Sequence, residues 1–221
     1  YRLLEGSAGN LGEYWQVMVA WLAVLSLVIG NVLALMQTNL KRMLAYSTIS
    51  HVGFLFLGLA HGGAEGYAAA MFYAISYALM SAAAFGAIIL LSRRGFEAEE
   101  IADFRGLNQK NPWHAGLVLM IMASMAGVPP FLGFWAKLAV LRAAVEANMV
   151  WLAIVAVVFA VIGAFYYLRV IKVMYFDEPE DANAHDERPA DAHLRWVLSA
   201  NALLLLVLGL AWSPLMAWCQ R

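Results

Sequence analysis

Long apolar segments alternate with short charged clusters along this chain. Six stretches carry no charged residue, and they cover positions 14–40, 43–64, 66–92, 111–136, 147–168 and 196–220. Each is longer than the roughly 20 residues that a helix needs to cross the hydrocarbon core of a bilayer. The pattern therefore predicts six transmembrane helices.

The fourth predicted helix, from Trp113 to Ala144, is interrupted. The interruption contains four residues that end or loosen helices: Gly127, Pro129, Pro130 and Gly133. Two adjacent prolines remove two backbone donors and clash with the preceding turn, so we expect a broken helix here. Irregular backbone at membrane depth is tolerated only against protein or a water-filled cavity. Lys137 follows the break within the same span.

Composition supports a membrane protein. Hydrophobic residues make up 63% of the chain and charged residues 13%, against about 25% charged in soluble domains. We therefore expect an all-α, polytopic membrane fold. Cys219 is the only cysteine, which excludes an internal disulfide and a cysteine-ligated iron–sulfur cluster within the chain. No basic leader with a cleavage site precedes the first span, so no signal peptide is expected. Because the chain starts at Tyr1 rather than Met, we expect it to be the C-terminal part of a longer protein.

Basic residues divide unevenly between the two ends of the predicted helices. If the spans alternate, one side carries Lys41, Arg42, Arg93, Arg94, Arg105, Lys110, Arg169, Lys172, Arg188 and Arg195. The other side carries Arg2, Arg142 and Arg221. The positive-inside rule makes the first side cytoplasmic. Both ends of the chain are then expected on the outer side.

The second span carries a polar patch at depth. His51 lies about eight residues beyond Met43, or roughly 12 Å of helix rise, and so well inside the membrane. Ser47, Thr48 and Ser50 surround it. Imidazole both accepts and donates protons near neutral pH, which suits a proton relay. A buried histidine held by one hydrogen bond is an equally good interpretation of the residues alone.

Other polar residues form stripes that favour structural roles. The third span places Tyr73, Ser76, Tyr77 and Ser81 on one face. Interhelical hydrogen bonding is the favoured interpretation, and the alternative is a water path lined by Tyr73, Tyr77, Ser81 and Ser50. Asn31 is interpreted as helix-packing glue. An interfacial belt is predicted on the fifth span from Tyr166, Tyr167, Tyr175, Arg169 and Lys172.

A lysine at membrane depth needs a reason, because it costs about 2.5 to 3.5 kcal/mol on insertion scales. Lys137 lies about seven residues, or roughly 10 Å, from the outer end of its span. Snorkelling to the headgroups is one interpretation. The functional interpretation uses the cost itself: removal from water disfavours the ammonium, so a nearby charge can switch its protonation. A broken helix supports this by admitting water and orienting backbone dipoles.

Three segments carry a resemblance to a known family: LKRMLAYSTISHVG, MASMAGVPPFLGFWAKL and YYLRVIKVMYFDEP. They closely resemble the C-terminal half of subunit N in the antiporter-like family of the proton-pumping NADH:quinone oxidoreductase, respiratory complex I. The three segments occur in the same order as in that family, and the resemblance covers nearly the whole chain. That subunit has fourteen helices, with two inverted five-helix repeats. The resemblance implies that residues 1–175 form the second repeat, 176–194 a cytoplasmic loop and 195–221 the final helix.

The resemblance also implies roles. Lys137 would be the catalytic proton relay at the exit, and His51 a supporting relay. The chain would translocate protons as a non-redox subunit in the bacterial inner membrane, beside other membrane-arm subunits, lipid and internal water, without nucleic acid. It would hold no metal and no cofactor, because FMN, iron–sulfur clusters, NADH and quinone belong to other subunits.

The third span separates related families. Subunits L and M carry histidines and a lysine on the corresponding helix, whereas FYAISYALMSAAAF has none. This difference favours subunit N, and it leaves water beside Tyr73, Tyr77 and Ser81 to connect Lys137 with His51. The alternatives are a subunit of a multi-subunit sodium/proton antiporter and a passive structural spacer of the membrane arm.

Overall fold

The computed structural model describes residues 12–92, 98–179 and 192–220. Three long helices come first: α1 (Gly12–Leu35), α2 (Leu40–His61) and α3 (Gly63–Leu91). After a 3₁₀ turn (Ile101–Phe104) the described helices are α4 (Leu107–Lys110), α5 (Pro112–Ala126), α6 (Leu132–Glu146), α7 (Val150–Phe176), α8 (Ala192–Leu210) and α9 (Trp212–Cys219). The all-α fold is confirmed.

Within these described ranges, 5 helices are long and apolar enough to cross a membrane: α1, α2, α3, α7 and α8. Helix α5 is apolar but only 15 residues long, and α6 continues it after a break. Together α5 and α6 occupy the position of the remaining predicted span. The all-α polytopic fold is therefore confirmed, and the predicted break lies between α5 and α6.

The break follows from its residues. Helix α5 ends at Ala126 and is capped by Gly127, which has a left-handed backbone with φ 88° and donates its N–H to the Ala123 and Ser124 carbonyls. Pro129 and Pro130 lie in the following turn, and α6 begins at Leu132. The Pro129–Pro130 peptide bond is cis. The predicted Gly133 lies outside the break, in the first turn of α6, where its N–H donates to Ser124 Oγ at 3.2 Å.

Glycines allow α2 to approach the helices on both sides. A Cβ added to Gly53 would lie 3.0 Å from the Ala23 carbonyl oxygen of α1. A Cβ added to Gly58 would lie 2.9 Å from the Ala70 nitrogen of α3. These approaches bring the polar patch of α2 within hydrogen-bonding reach of α1 and α3, as small residues do between membrane helices.

The final predicted span is interrupted, which the sequence prediction of one helix over residues 195–221 missed. Helix α8 ends at Leu210, and α9 begins at Trp212. Pro214 explains the interruption, because proline has no N–H to donate and its ring clashes with the carbonyl four residues earlier. Near its end, Gly209 of α8 packs directly on the backbone of Pro130 and Leu132, so this helix covers the break.

At the opposite end of the helices, the α1–α2 turn pairs with the segment before the 3₁₀ turn. Lys41 forms a salt bridge with Glu99, and the Ile101 N–H donates to the Thr38 carbonyl at 2.9 Å. Several described basic residues of the predicted cytoplasmic side lie at this end: Lys41, Arg42, Arg105, Lys110, Arg169 and Lys172. Arg2, Arg93, Arg94, Arg188 and Arg221 lie outside the described residues, as does most of the predicted loop.

Candidate functional site

Lys137 lies in the second turn of α6 and is buried, with 7% of its surface exposed. Its Nζ donates to the Met125 carbonyl at 3.0 Å and the Ala126 carbonyl at 2.8 Å. These carbonyls belong to the last turn of α5, where a helix has no further N–H to offer and carries the negative end of its dipole. The break therefore supplies acceptors for a cation at membrane depth. Because Nζ is held inward, the geometry disfavours snorkelling.

Gly127 makes room for this lysine. A Cβ added at this glycine would lie 3.0 Å from Lys137 Cδ and 3.2 Å from Nζ. Its left-handed φ is also one that other residues rarely adopt. Gly127, which caps α5, thus leaves the space through which the Lys137 ammonium reaches the Met125 and Ala126 carbonyls.

Phe54 of α2 covers the ammonium on another side. Lys137 Nζ lies 5.3 Å from the centroid of the Phe54 ring, within the range of a cation–π contact. The same ring stacks on Tyr73 of α3, with centroids 5.9 Å apart. An apolar ring therefore separates the lysine from the next polar groups.

His51 is the centre of those polar groups, and 3% of its surface is exposed. Its Nδ1 lies 2.7 Å from the Tyr73 hydroxyl, and its Nε2 lies 3.1 Å from the Tyr167 hydroxyl. The ring stacks on Tyr77 at 4.5 Å, and the Tyr77 hydroxyl donates to Thr48 Oγ1 at 2.7 Å. Both nitrogens of the imidazole are engaged, rather than one as the structural interpretation required.

The two nitrogen contacts have opposite directions. A neutral imidazole offers one donor and one acceptor nitrogen, so one tyrosine hydroxyl donates to His51 and the other accepts from it. Moving the ring proton between nitrogens reverses both hydrogen bonds. This arrangement can pass a proton across the ring without requiring a net charge to persist there.

A further chain of hydrogen bonds leads from this cluster to α1. The rings of Tyr167 and Tyr166 lie 4.5 Å apart. The Tyr166 hydroxyl donates to Asn31 Oδ1 at 3.3 Å, and Asn31 Nδ2 donates to Ser50 Oγ at 2.8 Å. Asn31 thus joins three helices, which agrees with its predicted packing role.

The predicted interfacial belt is wrong for its central members. Tyr166 and Tyr167 are each 1% exposed and face the interior. Arg169 donates to the Leu35 and Gln37 carbonyls at the end of α1, at 3.2 and 2.5 Å. The error arose because the span was ended at the first charge, whereas α7 continues to Phe176. Only Tyr175 and Lys172 keep the expected place near the helix end.

The predicted water-path residues do not all meet. Tyr73 and Tyr77 contact His51, and Ser50 belongs to the Asn31 chain. Ser81 bonds the Ala78 carbonyl of its own helix at 3.3 Å and is not part of the cluster. The sequence prediction also missed Phe54 and Tyr167. The residues from Val170 to Phe176, apolar except for Lys172, could have revealed the depth of Tyr167. Nothing local distinguishes Phe54 from a packing residue.

Comparisons with known proteins agree with the predicted family and fold. The sequence model of one family, described as "NADH:quinone oxidoreductase/Mrp antiporter, TM", matches residues 3–163. The "NADH-quinone oxidoreductase subunit N" of Xanthomonas euvesicatoria pv. vesicatoria is 66% identical over 223 residues, which cover 100% of this chain and 45% of the relative. The chain thus spans under half the length of the curated relatives it matches.

Two solved structures share the fold. A chain of respiratory complex I from Thermus thermophilus with bound Aureothin superposes with a TM-score of 0.78 and 32% identity, over 90% of this chain and 44% of that one. A chain of the Mrp complex from Dietzia sp. DQ12-45-1b gives a TM-score of 0.82 at 24% identity, over 94% and 46%. The second likeness concerns the fold alone.

Proposed function

The chain belongs to the NADH:quinone oxidoreductase/Mrp antiporter family of membrane subunits, and from this premise we propose that it forms a proton-releasing half-channel of NADH:quinone oxidoreductase. Its predicted resemblance to the C-terminal half of subunit N is confirmed by relatives of that name. The observation that carries the proposal is Lys137, a buried cation held by the carbonyls of a broken helix.

In this proposal Lys137 is the charge-switching residue. As an ammonium it donates to the Met125 and Ala126 carbonyls, which favour positive charge at that point. Burial has the opposite effect, because it removes the ammonium from water. With the two effects opposed, the arrival of another positive charge nearby tips the balance and expels the proton toward the outer side.

His51 supplies the proton in this scheme. Its ring takes a proton at one nitrogen and releases one at the other, through Tyr73 and Tyr167. The Phe54 ring lies between Tyr73 and Lys137, so water must enter beside that ring before a proton can continue. Proton transfer from Tyr73 to Lys137 therefore depends on that water. A step that can be switched in this way allows proton movement to depend on redox chemistry in other subunits.

Redox chemistry belongs to other subunits in this proposal, where NADH, FMN, iron–sulfur clusters and quinone react. The chain then lies in a bacterial inner membrane as part of the membrane arm, with both of its ends on the outer side. The distribution of basic residues supports this orientation. The partners are neighbouring membrane-arm subunits.

The proposal is tested by replacing Lys137 in the full-length protein within its complex. Lys137→Ala removes the switch, and Lys137→Arg keeps a positive charge that cannot be deprotonated. We expect both variants to lower the measured ratio of protons pumped to electrons transferred. Lys172→Ala, which removes an exposed lysine from α7, is the matched control and keeps the wild-type ratio. Normal assembly of Lys137→Ala with unchanged ratio and turnover would overturn the proposal and leave a structural spacer.

A sodium/proton antiporter subunit is the second candidate, because the matching family includes Mrp antiporters. The identity of 66% to a quinone oxidoreductase subunit favours the first candidate. Proton pumping in proteoliposomes discriminates them. NADH-driven pumping that proceeds at the same ratio without Na⁺ supports the oxidoreductase, and a strict requirement for Na⁺ supports the antiporter.

A further inference from the structure

A second group of ionisable side chains lies away from Lys137 and His51, at the outer ends of three helices. His61 ends α2, Glu65 lies in the first turn of α3, and Glu146 ends α6. One potential ligand atom from each lies within 4.8 Å of the other two. Sequence reasoning did not bring these three residues together, because Glu146 is remote from the other two in the chain.

The charges of this group are unbalanced. Arg142 Nε donates to Glu146 Oε1 at 2.8 Å, and this hydrogen bond is the main cause of a lowered pKa at Glu146. A carboxylate oxygen of Glu65 lies within 4.8 Å of one of Glu146. The single positive charge of Arg142 therefore lies near two carboxylates, those of Glu65 and Glu146. Two negative charges this close together favour the binding of a further cation.

His61 is oriented with one nitrogen free for a ligand. Its Nδ1 is hydrogen-bonded to the Gly62 carbonyl. A carbonyl only accepts, so in the neutral imidazole Nδ1 carries the proton and Nε2 keeps its lone pair. Histidines that bind metals usually donate their second N–H to a carbonyl or carboxylate in this way. The side chain also packs on α3, where a Cβ at Gly66 would lie 2.8 Å from His61 Cβ.

We propose that His61, Glu65 and Glu146 bind one divalent transition-metal ion, of which Zn²⁺ is the representative. Zn²⁺ accepts one histidine nitrogen and two carboxylate oxygens and leaves its fourth position for water. Glu65 and Glu146 line a groove whose small lining residues are Ala69, Ala139 and Ala143. Ca²⁺ and Mg²⁺ prefer oxygen ligands only, and more of them. The ion competes with Arg142 for Glu146 and ties the α2–α3 turn to the end of α6.

Zn²⁺ binding to the full-length protein in its purified complex tests the proposal. After treatment with a chelator, the stoichiometry and affinity for Zn²⁺ are measured by equilibrium dialysis. We expect His61→Ala and the isosteric Glu65→Gln each to weaken one bound equivalent by about tenfold or more. Arg142→Gln frees Glu146 and is expected to tighten the same equivalent by about fivefold.

His193→Ala is the matched control, because it removes an exposed histidine at the other end of the bundle. It is expected to leave stoichiometry and affinity at the wild-type values. Equal Zn²⁺ binding by wild type, His61→Ala and Glu65→Gln overturns the proposal, as does an unchanged affinity in Arg142→Gln. The readout is binding rather than pumping, so failure here leaves the role of Lys137 unaffected.

Discussion

The hydrogen-bond partners of Lys137 and His51 distinguish these two side chains more than their residue types do. Lys137 donates to two main-chain carbonyls, and His51 contacts two tyrosine hydroxyls. Neither has a carboxylate partner among these contacts, so a charge that appears on either is not neutralised by a fixed counter-ion. Such groups respond strongly to a charge that arrives nearby.

Tyr73→Phe removes the hydroxyl that bonds His51 Nδ1 and keeps the ring that stacks on Phe54. We expect proton pumping to slow by about tenfold or more, because a positioned proton-transfer group contributes at least about that much. NADH-driven acidification in proteoliposomes measures the effect. Tyr175→Phe, at the partly exposed end of α7, is the control. Equal rates for the two variants would remove Tyr73 from the relay.

At the scale of the element, the break between α5 and α6 is what makes a buried lysine tolerable. It frees carbonyls at the end of α5 and brings Lys137 beside them within eleven residues of chain from Ala126. A continuous helix would have used those carbonyls for its own hydrogen bonds. The break thus provides the ligands of the ammonium rather than only flexibility.

Gly127→Ala tests the geometry of the break. The added Cβ crowds Lys137 Cδ at 3.0 Å and occupies a left-handed conformation, so we expect a loss of stability of about 1 to 3 kcal/mol and a lower proton-to-electron ratio. Thermal unfolding of the purified complex and pumping assays measure the two effects. Gly116→Ala, in the same helix with nothing within 4 Å of the new Cβ, is expected to be neutral or slightly stabilising. Similar behaviour of both variants would show that the position beside Lys137 is not special.

The sequence predicted the elements well, because their causes are local. Charge-free length predicts the long helices, and the two prolines predict the break. Contacts between helices were predicted poorly. Tyr166 and Tyr167 were assigned to the interface from the neighbouring Arg169, yet that arginine caps α1 instead of reaching the headgroups. Phe54 was overlooked, since its position between Lys137 and Tyr73 depends on how three helices pack.

At the scale of the whole molecule, the two ends of the bundle differ in chemistry. One end carries the Lys41–Glu99 salt bridge and the Arg169 cap, and the other carries Glu146 with its partner Arg142. The polar cluster around His51 lies between these ends, in the middle of α2. This arrangement gives the proposed proton path two chemically distinct sides.

The orientation of those sides is testable by labelling. Lys110→Cys and Val150→Cys each place a thiol at an exposed position, at opposite ends of the bundle. A membrane-impermeant thiol reagent is expected to label Val150→Cys in spheroplasts and Lys110→Cys in inside-out vesicles, because basic residues favour the cytoplasmic side. Cys219→Ser serves as the background. The reverse labelling pattern would invert the proposed direction of proton release.

Helix α8 contributes no charged side chain to the site, yet its packing on Pro130 and Leu132 determines what surrounds the break. Without α8, hydrocarbon or bulk water would lie against the break. Hydrocarbon offers no hydrogen-bond partner to irregular backbone, and bulk water would screen any incoming charge. Because Gly209 closes that side, α8 keeps bulk water away from the backbone of the break beside Lys137. Helix α8, which contributes no charged group, thereby reduces the screening between Lys137 and a charge that arrives nearby.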